Sequence, residues 1–514
     1  MTINVTLMIV TNINNKLFPE GYYSNDYYSI IQIMENYYTK LNITYMNMSR
    51  KRTILLYTDD DFNVVFYWGQ KIHNDGEMDK LNELQKKINE ECINITIDKL
   101  MTKLIGLEKY FGDIFVIGSN AEIVNSVINN TYCNKIYHVK LMHNIETDGD
   151  DISNTLMTLS KNKNYDVKVE NKSKRDVKVY DKNAVQSDNV FQNEYEIDID
   201  IHLHTYDFIN KEEIQYLDLM KKIIDEGDER ETRNAKTLSL FGEKLVFDMD
   251  NGFPLLTTKK MFYNGIFEEL LFFLRGDTDT KILNDKGVKI WKKNTSKEFI
   301  KNNNKNLEEY DMGPMYGFQW RHFNAEYKGC KHNYKNEGID QLKNVIDLLA
   351  TDPYSRRITM TTYNPLQCDD GVLHACHGLT TQFYVEKNRI SLQTYQRSAD
   401  VFLGLPFNIA SYSLMLHIVV HLVNNHPSNY KNHDYKPGKM TIVLGDAHLY
   451  SDDKCNHIDA AKVQLERYNK TYKFPTIEIN GDIKTLNDLN HLTAKDVVLH
   501  NYISHDKITA EMSE

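Results

Sequence analysis

The chain lacks any run approaching the roughly 18 consecutive apolar residues that a membrane-spanning helix needs. Its start, MTINVTLMIV, has neither the basic opening nor the small-residue cleavage site of a secretory signal. Cysteine is scarce, with six in 514 residues. Those six form no metal-binding spacing and no dense disulfide framework, so a reducing compartment and no bound metal are expected. These absences lead us to expect a soluble, cytoplasmic protein without a membrane partner, with nuclear entry left open. Positive charge is not in excess either, since 61 Lys and Arg face 72 Asp and Glu for a net charge of -11. That balance argues against whole-surface attraction to nucleic acid and still permits a local basic pocket for a phosphorylated small molecule. What is abundant is core material: 41% of residues are hydrophobic and 11% aromatic, enough for two to four domains at this length.

The first part reads as α/β. β-Branched and aromatic clusters predict strands at 5–10, 53–57, 63–67, 114–117 and 135–140, with helices around 24–38, 78–92 and 121–129. From 161 to about 193 the chain turns polar and weakly periodic, which predicts a flexible connection or a surface excursion. We therefore divide the chain into 1–195, a linker at 196–210 and a second domain at 211–514. That second domain opens with a helix that puts Ile214, Leu217 and Ile224 on one side and stops near Gly227. Helices at 265–275, 337–350 and 408–424, alternating with strands at 357–363, 382–385, 390–395, 441–444 and 476–479, indicate an α+β domain.

Two places in the second domain carry candidate chemistry. Cys376, in LHACHGLTTQFYV, has two readings: a thiolate nucleophile, or a small core residue beside a strand. His374 and His377 do not decide between them. Arg397, in QRSADVFLGLPFNIASY, can clamp a phosphate while Asp400 and Asn408 read a planar base, or it can be a surface cation with Asn408 capping a helix. The adjacent Arg356 and Arg357 in DPYSRRI make a further positive point, suited to one phosphate or merely solvated.

The ordered segments GFPLLTTKK (252–260), EELLFFLRGDT (268–278), DMGPMYGFQW (311–320), SRRI (355–358), ACH (375–377), YQRSADVFLGLPFNIASY (395–412) and GDAHLY (445–450) resemble thymidylate synthase. The resemblance implies reductive methylation of deoxyuridine monophosphate (dUMP) by 5,10-methylenetetrahydrofolate, releasing thymidylate and dihydrofolate. It implies that Cys376 attacks C6, that Glu269 with Tyr316 manages proton transfers, and that Arg397 holds phosphate and stabilises the thiolate, with Ser398 nearby. It further places Asn408 at the uracil, His448 and Tyr450 at the ribose, and Asp400 and Trp291 at the folate. A homodimer is implied in which Arg356 and Arg357 reach the partner's nucleotide, and Arg233 belongs to a phosphate-contacting loop. The chain departs from the family pattern at RNAKTLSLFG after Arg233, at Ala375 before the cysteine, at Asn294 in place of a second tryptophan, and at the EMSE terminus.

The first domain resembles dihydrofolate reductase at TLMIVTNINNKLF (6–18), IFVIGSNAEIVNSVI (114–128) and NKIYHVK (134–140). Where that family has two successive glycines, Gly118 is followed by Ser119, whose Cβ impedes close approach of a pyrophosphate. No opening acid stands in a pteridine-binding context, and assigning Asp26 or Glu35 to that role would be arbitrary. The first reading is thus a synthase fused to a divergent reductase-like α/β domain. A bifunctional enzyme using NADPH is the alternative, and a noncatalytic nucleotide- or RNA-binding regulator is a third.

Overall fold

The computed structural model describes residues 4–11, 54–58, 64–68, 113–117, 124–125, 127–128, 133–141, 151–161, 164–180, 194–232, 235–452, 455–481 and 483–511. The helices expected at 24–38 and 78–92, Gly118, Ser119, Asp26, Glu35, Arg233 and the last three residues of EMSE lie outside the described residues. The chain divides into two compact units, Met1–Ile209 and Asn210–Glu514.

In the first unit β1 (Asn4–Thr11), β2 (Ile54–Thr58), β3 (Val64–Trp68), β4 (Asp113–Ile117) and β5 (Cys133–Leu141) sit where their apolar runs predict them. Helix α1 (Ser153–Lys161) follows and buries Leu156 and Leu159. With β6 (Tyr165–Tyr180) and β7 (Glu194–Phe208) they form a seven-stranded sheet in the order β3-β2-β4-β1-β5-β7-β6. The contacts β2–β4, β4–β1 and β1–β5 are parallel, and the two edges are antiparallel.

Two expectations fail here. Within the stretch expected to be a flexible connection or surface excursion, 165–180 is β6, and the supposed linker at 196–210 is largely β7, hydrogen-bonded to β5 on one side and β6 on the other. Polarity misleads because β6 is an edge strand. Tyr165 is buried, Asp166, Val167, Lys168 and Val169 are exposed, and the ladder to β7, with a register shift between Lys174 and Val177, defines the strand.

The second unit is α+β around a mixed sheet. Its elements are α2 (Lys211–Glu226), β8 (Asp228–Glu231), β9 (Lys236–Asp248), α3 (Tyr263–Arg275), α4 (Lys281–Asp285), α5 (Lys297–Asn302), α6 (Gly317–His322) and α7 (Gln341–Thr351). Then come β10 (Thr359–Met360), β11 (Thr381–Glu386), β12 (Arg389–Asp400), α8 (Gly404–Asn424), β13 (Lys436–Asp452), β14 (Cys455–Asn456), α9 (Ile458–Leu465), β15 (Thr476–Ile479) and β16 (Val497–His500). The main sheet runs β10-β11-β12-β13-β9-β8, with β14 pairing β13, and only β12–β13 is parallel.

Helix α2 starts where the Asn210 side chain accepts from the Glu213 N–H at 3.1 Å. It ends at Gly227, where a Cβ would stand 2.4 Å from the Ile223 carbonyl oxygen. Strand β9 escapes sequence reading because Gly242, at φ +89°, splits its alternation into two short halves. The strand expected at 357–363 shrinks to two residues, and β12 extends past Tyr395 so that Arg397, Ser398 and Asp400 lie on it rather than after it.

Helix α8 has the length and apolar composition of a membrane span, a correction to the reading of the sequence by consecutive apolar runs, and 72% of its most apolar stretch is buried. It is the core helix of this unit, packed on β12, β13 and α3. Pro406 falls in its first turn, where a missing N–H costs nothing, so the helix begins ahead of Asn408.

Candidate active site

Cys376 stands in the irregular segment before β11, tied down from three sides. Its N–H donates to the Tyr316 hydroxyl at 3.1 Å and its carbonyl accepts from the Arg397 N–H at 2.9 Å. Its Sγ is 3.4 Å from the same Tyr316 hydroxyl. The Arg397 side chain reaches back from β12 and donates Nε to the Ala375 carbonyl at 3.0 Å and a terminal nitrogen to the His374 carbonyl at 3.2 Å. Arg397 is exposed but not loose: its guanidinium grips the two residues that precede the thiol. Gly445 on β13 makes room, since a Cβ there would meet the Arg397 carbonyl oxygen at 2.6 Å.

Tyr316 is held in place by backbone and rings. It takes φ +41° immediately before α6, an uncommon conformation for a residue with a bulky side chain. Its ring stacks on His377 at 4.4 Å on one side and Phe273 at 5.0 Å on the other. Gly317 permits this, because any Cβ would lie 2.3 Å from the Phe273 carbonyl oxygen.

The charges around the thiol are not neutral in effect. Burial pushes the Cys376 thiol above its usual value, and the Glu269 charge adds to the rise; the Tyr316 hydrogen bond and the Arg397 guanidinium pull the other way. His377 cannot supply a cation, since burial brings its imidazole down to about 3, and its Nδ1 lies 2.9 Å from the buried Tyr412 hydroxyl. Glu269, on α3, is raised to about 7 by burial, although its Oε1 accepts from Trp291 Nε1 at 2.8 Å. A carboxyl titrating near neutrality can both give and take a proton. The Trp291 bond was not legible in the sequence, which places that indole at the folate only.

A second group lies along β12 and β13, where Ser398 pairs with Asp446 and Asp400 with His448 in parallel register. Asp400 Oδ1 accepts from the N–H groups of Phe402 at 3.0 Å and Leu403 at 3.1 Å and stands 3.3 Å from His457 Nδ1. Burial alone would raise this carboxyl, but His457 and the Leu403 N–H outweigh it and hold it below its usual range. Buried Lys259 is lowered to about 7 by desolvation despite the Asp400 and Glu213 charges. The Tyr450 ring meets His448 at 5.2 Å and His457 at 5.2 Å, edge to face. Sequence reasoning missed His457 and Lys259, whose roles depend on residues far away in the chain.

The thymidylate synthase family model matches residues 214–514. The chain belongs to the thymidylate synthase family. Among its relatives are a thymidylate synthase of Saccharomyces cerevisiae, 47% identical over 60% of this chain and 99% of that one, and a bifunctional dihydrofolate reductase-thymidylate synthase of Paramecium tetraurelia, 42% identical over 64% of this chain and 67% of that one. The likeness to a bifunctional dihydrofolate reductase-thymidylate synthase of Plasmodium chabaudi reaches further, 37% identity over 78% of this chain and 65% of that one.

The remaining residues expected from the synthase pattern are placed as follows. Asn408 lies in the first part of α8, with its Oδ1 accepting from Gln396 Nε2 at 3.1 Å, and its amide N–H groups have no partner among the described residues. His448 is buried with Nδ1 3.2 Å from Asp446 Oδ1. Ser398 is partly buried, and its carbonyl accepts from Gln396. Arg356 and Arg357 are exposed, and neither guanidinium is bonded among the described residues, which leaves both available to a phosphate and brings neither to Cys376 within this chain. Arg233 lies outside the described residues.

Proposed function

We propose that the second unit converts dUMP to thymidylate with Cys376 as nucleophile, and that the observation carrying this reading is the thiol gripped between the Tyr316 hydroxyl and the Arg397-bound loop. Cys376 Sγ forms a bond to C6 of the uracil ring, the electron pair of the C5–C6 bond moves toward O4, and C5 becomes nucleophilic. Glu269, half-protonated near neutrality, is suited to serve O4 and to remove the C5 proton, through water where it does not reach. When bound, 5,10-methylenetetrahydrofolate supplies the one-carbon group and then a hydride, and leaves as dihydrofolate. The S–C6 bond breaks last and returns the thiolate.

Arg397 serves both ends, presenting a positive charge to phosphate and to the thiolate it helps ionise. The Asn408 amide donors face a uracil carbonyl, and His448 with Tyr450 meets the ribose. The Asp400 carboxylate suits the folate, because Oδ1 accepts from the local N–H groups while Oδ2 has no partner among the described residues and can accept an N–H from the pterin. Arg356 and Arg357 reach the phosphate of the partner's nucleotide in a homodimer, with Arg233 closing from its loop.

The test is product analysis of the full-length protein with dUMP and methylenetetrahydrofolate. Thymidylate and dihydrofolate should appear together and both vanish in Cys376→Ala; a folded protein that makes neither sinks the reading. A bifunctional enzyme is the second reading, favoured by the Plasmodium chabaudi likeness extending ahead of the synthase segment and by the parallel strands of the first sheet. Adding NADPH to the same reaction tests it: consumption of NADPH with loss of dihydrofolate supports a working reductase-like domain, and no consumption restricts the chain to synthesis.

A further inference from the structure

The loop that leads to Cys376 carries a convergence of side chains that the synthase chemistry does not use. Cys368, Asp369 and His374 bring a thiol sulfur, a carboxylate oxygen and an imidazole nitrogen to within 4.8 Å of one another. His374 Nε2 is already 2.9 Å from Asp369 Oδ1. The spacing is invisible when cysteines are compared only with one another, because the set contains a single cysteine and spans seven residues.

The backbone presenting these groups is pinned along its length. At its start the Gln367 side chain is built into the interior, donating to the Ala325 carbonyl at 2.7 Å and accepting from Gln319 and Asn364, each at 3.0 Å. In the middle, the Asp370 N–H returns to the Gln367 carbonyl at 3.1 Å, Lys305 Nζ donates to the Asp369 carbonyl at 2.6 Å, and the Val372 N–H bonds the Met312 carbonyl at 3.1 Å. At its end Arg397 holds the carbonyls of His374 and Ala375. Lys305 and Arg397 occupy backbone carbonyls, not the three donor side chains. The backbone that carries the donors is therefore held in place in advance of any ligand, which lowers the ordering cost of binding one.

We propose that Cys368, Asp369 and His374 form a zinc site, with water in the fourth position, that governs the loop carrying Cys376. Thiolate, imidazole and carboxylate together are a zinc-type donor set. Ligands held at about 2.0–2.3 Å in a tetrahedron stand roughly 3.3–3.8 Å apart, so small side-chain rotations suffice to close the set. On binding, the Cys368 thiol releases its proton to solvent and His374 gives its neutral nitrogen lone pair, so that thiolate and carboxylate balance the two charges of the ion. Because Arg397 grips the backbone of His374 as well as Ala375, occupancy tightens the segment that positions Cys376. The site is open to solvent, with half of the His374 side chain exposed, as an exchanging regulatory ion requires.

The test uses the full-length chain carrying Cys376→Ser, which removes the other reactive thiol of this loop. Zinc titrated against a chromophoric chelator should show one equivalent bound per chain at roughly micromolar affinity or better, and cobalt should give thiolate charge-transfer absorption. Adding either Cys368→Ser or His374→Ala should abolish that equivalent while leaving the thermal melt of the apoprotein unchanged. Independently, zinc should change the alkylation rate of Cys376 in the otherwise wild-type chain and not in His374→Ala. Absence of stoichiometric binding, or binding that survives both substitutions, overturns the proposal. Neither outcome depends on whether dUMP is the substrate.

Discussion

The side chain whose environment says most about chemistry is Glu269. Burial raises its carboxyl from 4.5 to about 7, so in the folded protein it resists ionisation across the range in which the unfolded chain has already ionised. Its folded value lies above its unfolded value. The stability it contributes is therefore fully present below 4.5 and is lost as pH rises toward about 7. A Glu269→Gln variant should become more stable relative to wild type over that interval, by up to ~3 kcal/mol, in denaturant titrations at several pH values. The same variant should turn over about 10²–10⁴-fold more slowly while still binding dUMP, and should lose an inflection near neutrality in the pH profile of kcat/KM. An unchanged profile would remove Glu269 from proton transfer. At this scale the sequence named candidate residues but not their state. That Glu269 is bonded to Trp291, or that His377 is held neutral beside the thiol, follows from neighbours dozens of positions away.

Among the elements, the start of α2 and the C-terminal tail each rest on one buried polar contact set. Glu213, fully buried in the first turn of α2, accepts from both the N–H and hydroxyl groups of Thr257 and Thr258 at 2.6–3.0 Å, fastening the GFPLLTTKK segment. Glu213→Ala leaves those donors without an acceptor and should cost about 3–5 kcal/mol in denaturant unfolding, with Glu213→Gln costing less. A loss under about 1 kcal/mol would show that the segment holds itself. The tail is caught at Glu511, whose carbonyl lies 2.7 Å from His457 Nε2 and 3.3 Å from Cys455 Sγ.

Burial opposes charge on His457, but Asp400 and the Glu511 carbonyl win and raise it above 6.5. A raised imidazole contributes stability that is full below the unfolded value and lost as pH rises through the folded one. Protection of residues near Glu511 in hydrogen exchange, corrected for intrinsic rate, should therefore fall with rising pH in wild type and be low at every pH in His457→Ala. Protection that ignores pH would exclude the imidazolium as the catch. Elements were legible where apolar residues cluster or recur: β1 to β5, α2, α3 and β15 fall where those residues predict them. The sequence reading missed β6, a polar segment paired with β7; it missed β7, although Tyr195, Ile197, Ile199, Ile201 and Leu203 alternate with polar residues; and it missed β9, where a glycine breaks the alternation.

On the scale of the whole molecule, the homodimer proposed above has Arg356 and Arg357, exposed in this chain, finish the site of a second copy. Chains carrying Cys376→Ala and chains carrying Arg357→Ala, each poorly active alone, should recover roughly a quarter of wild-type activity when unfolded, mixed and refolded together, as random pairing of two complementary subunits dictates. No recovery from a mixture of verified dimers would place both residues in the same subunit's site. The amino-acid sequence by itself determined the family and named a candidate nucleophile and candidate phosphate-binding arginines from short ordered segments, because bond-making groups are specified by residue type and local order. Only the tertiary structure decided which of those groups are charged, which are already bonded, and that Cys368, Asp369 and His374 meet. Burial and hydrogen bonding set the protonation and availability of a side chain, and both are properties of what the fold brings beside it.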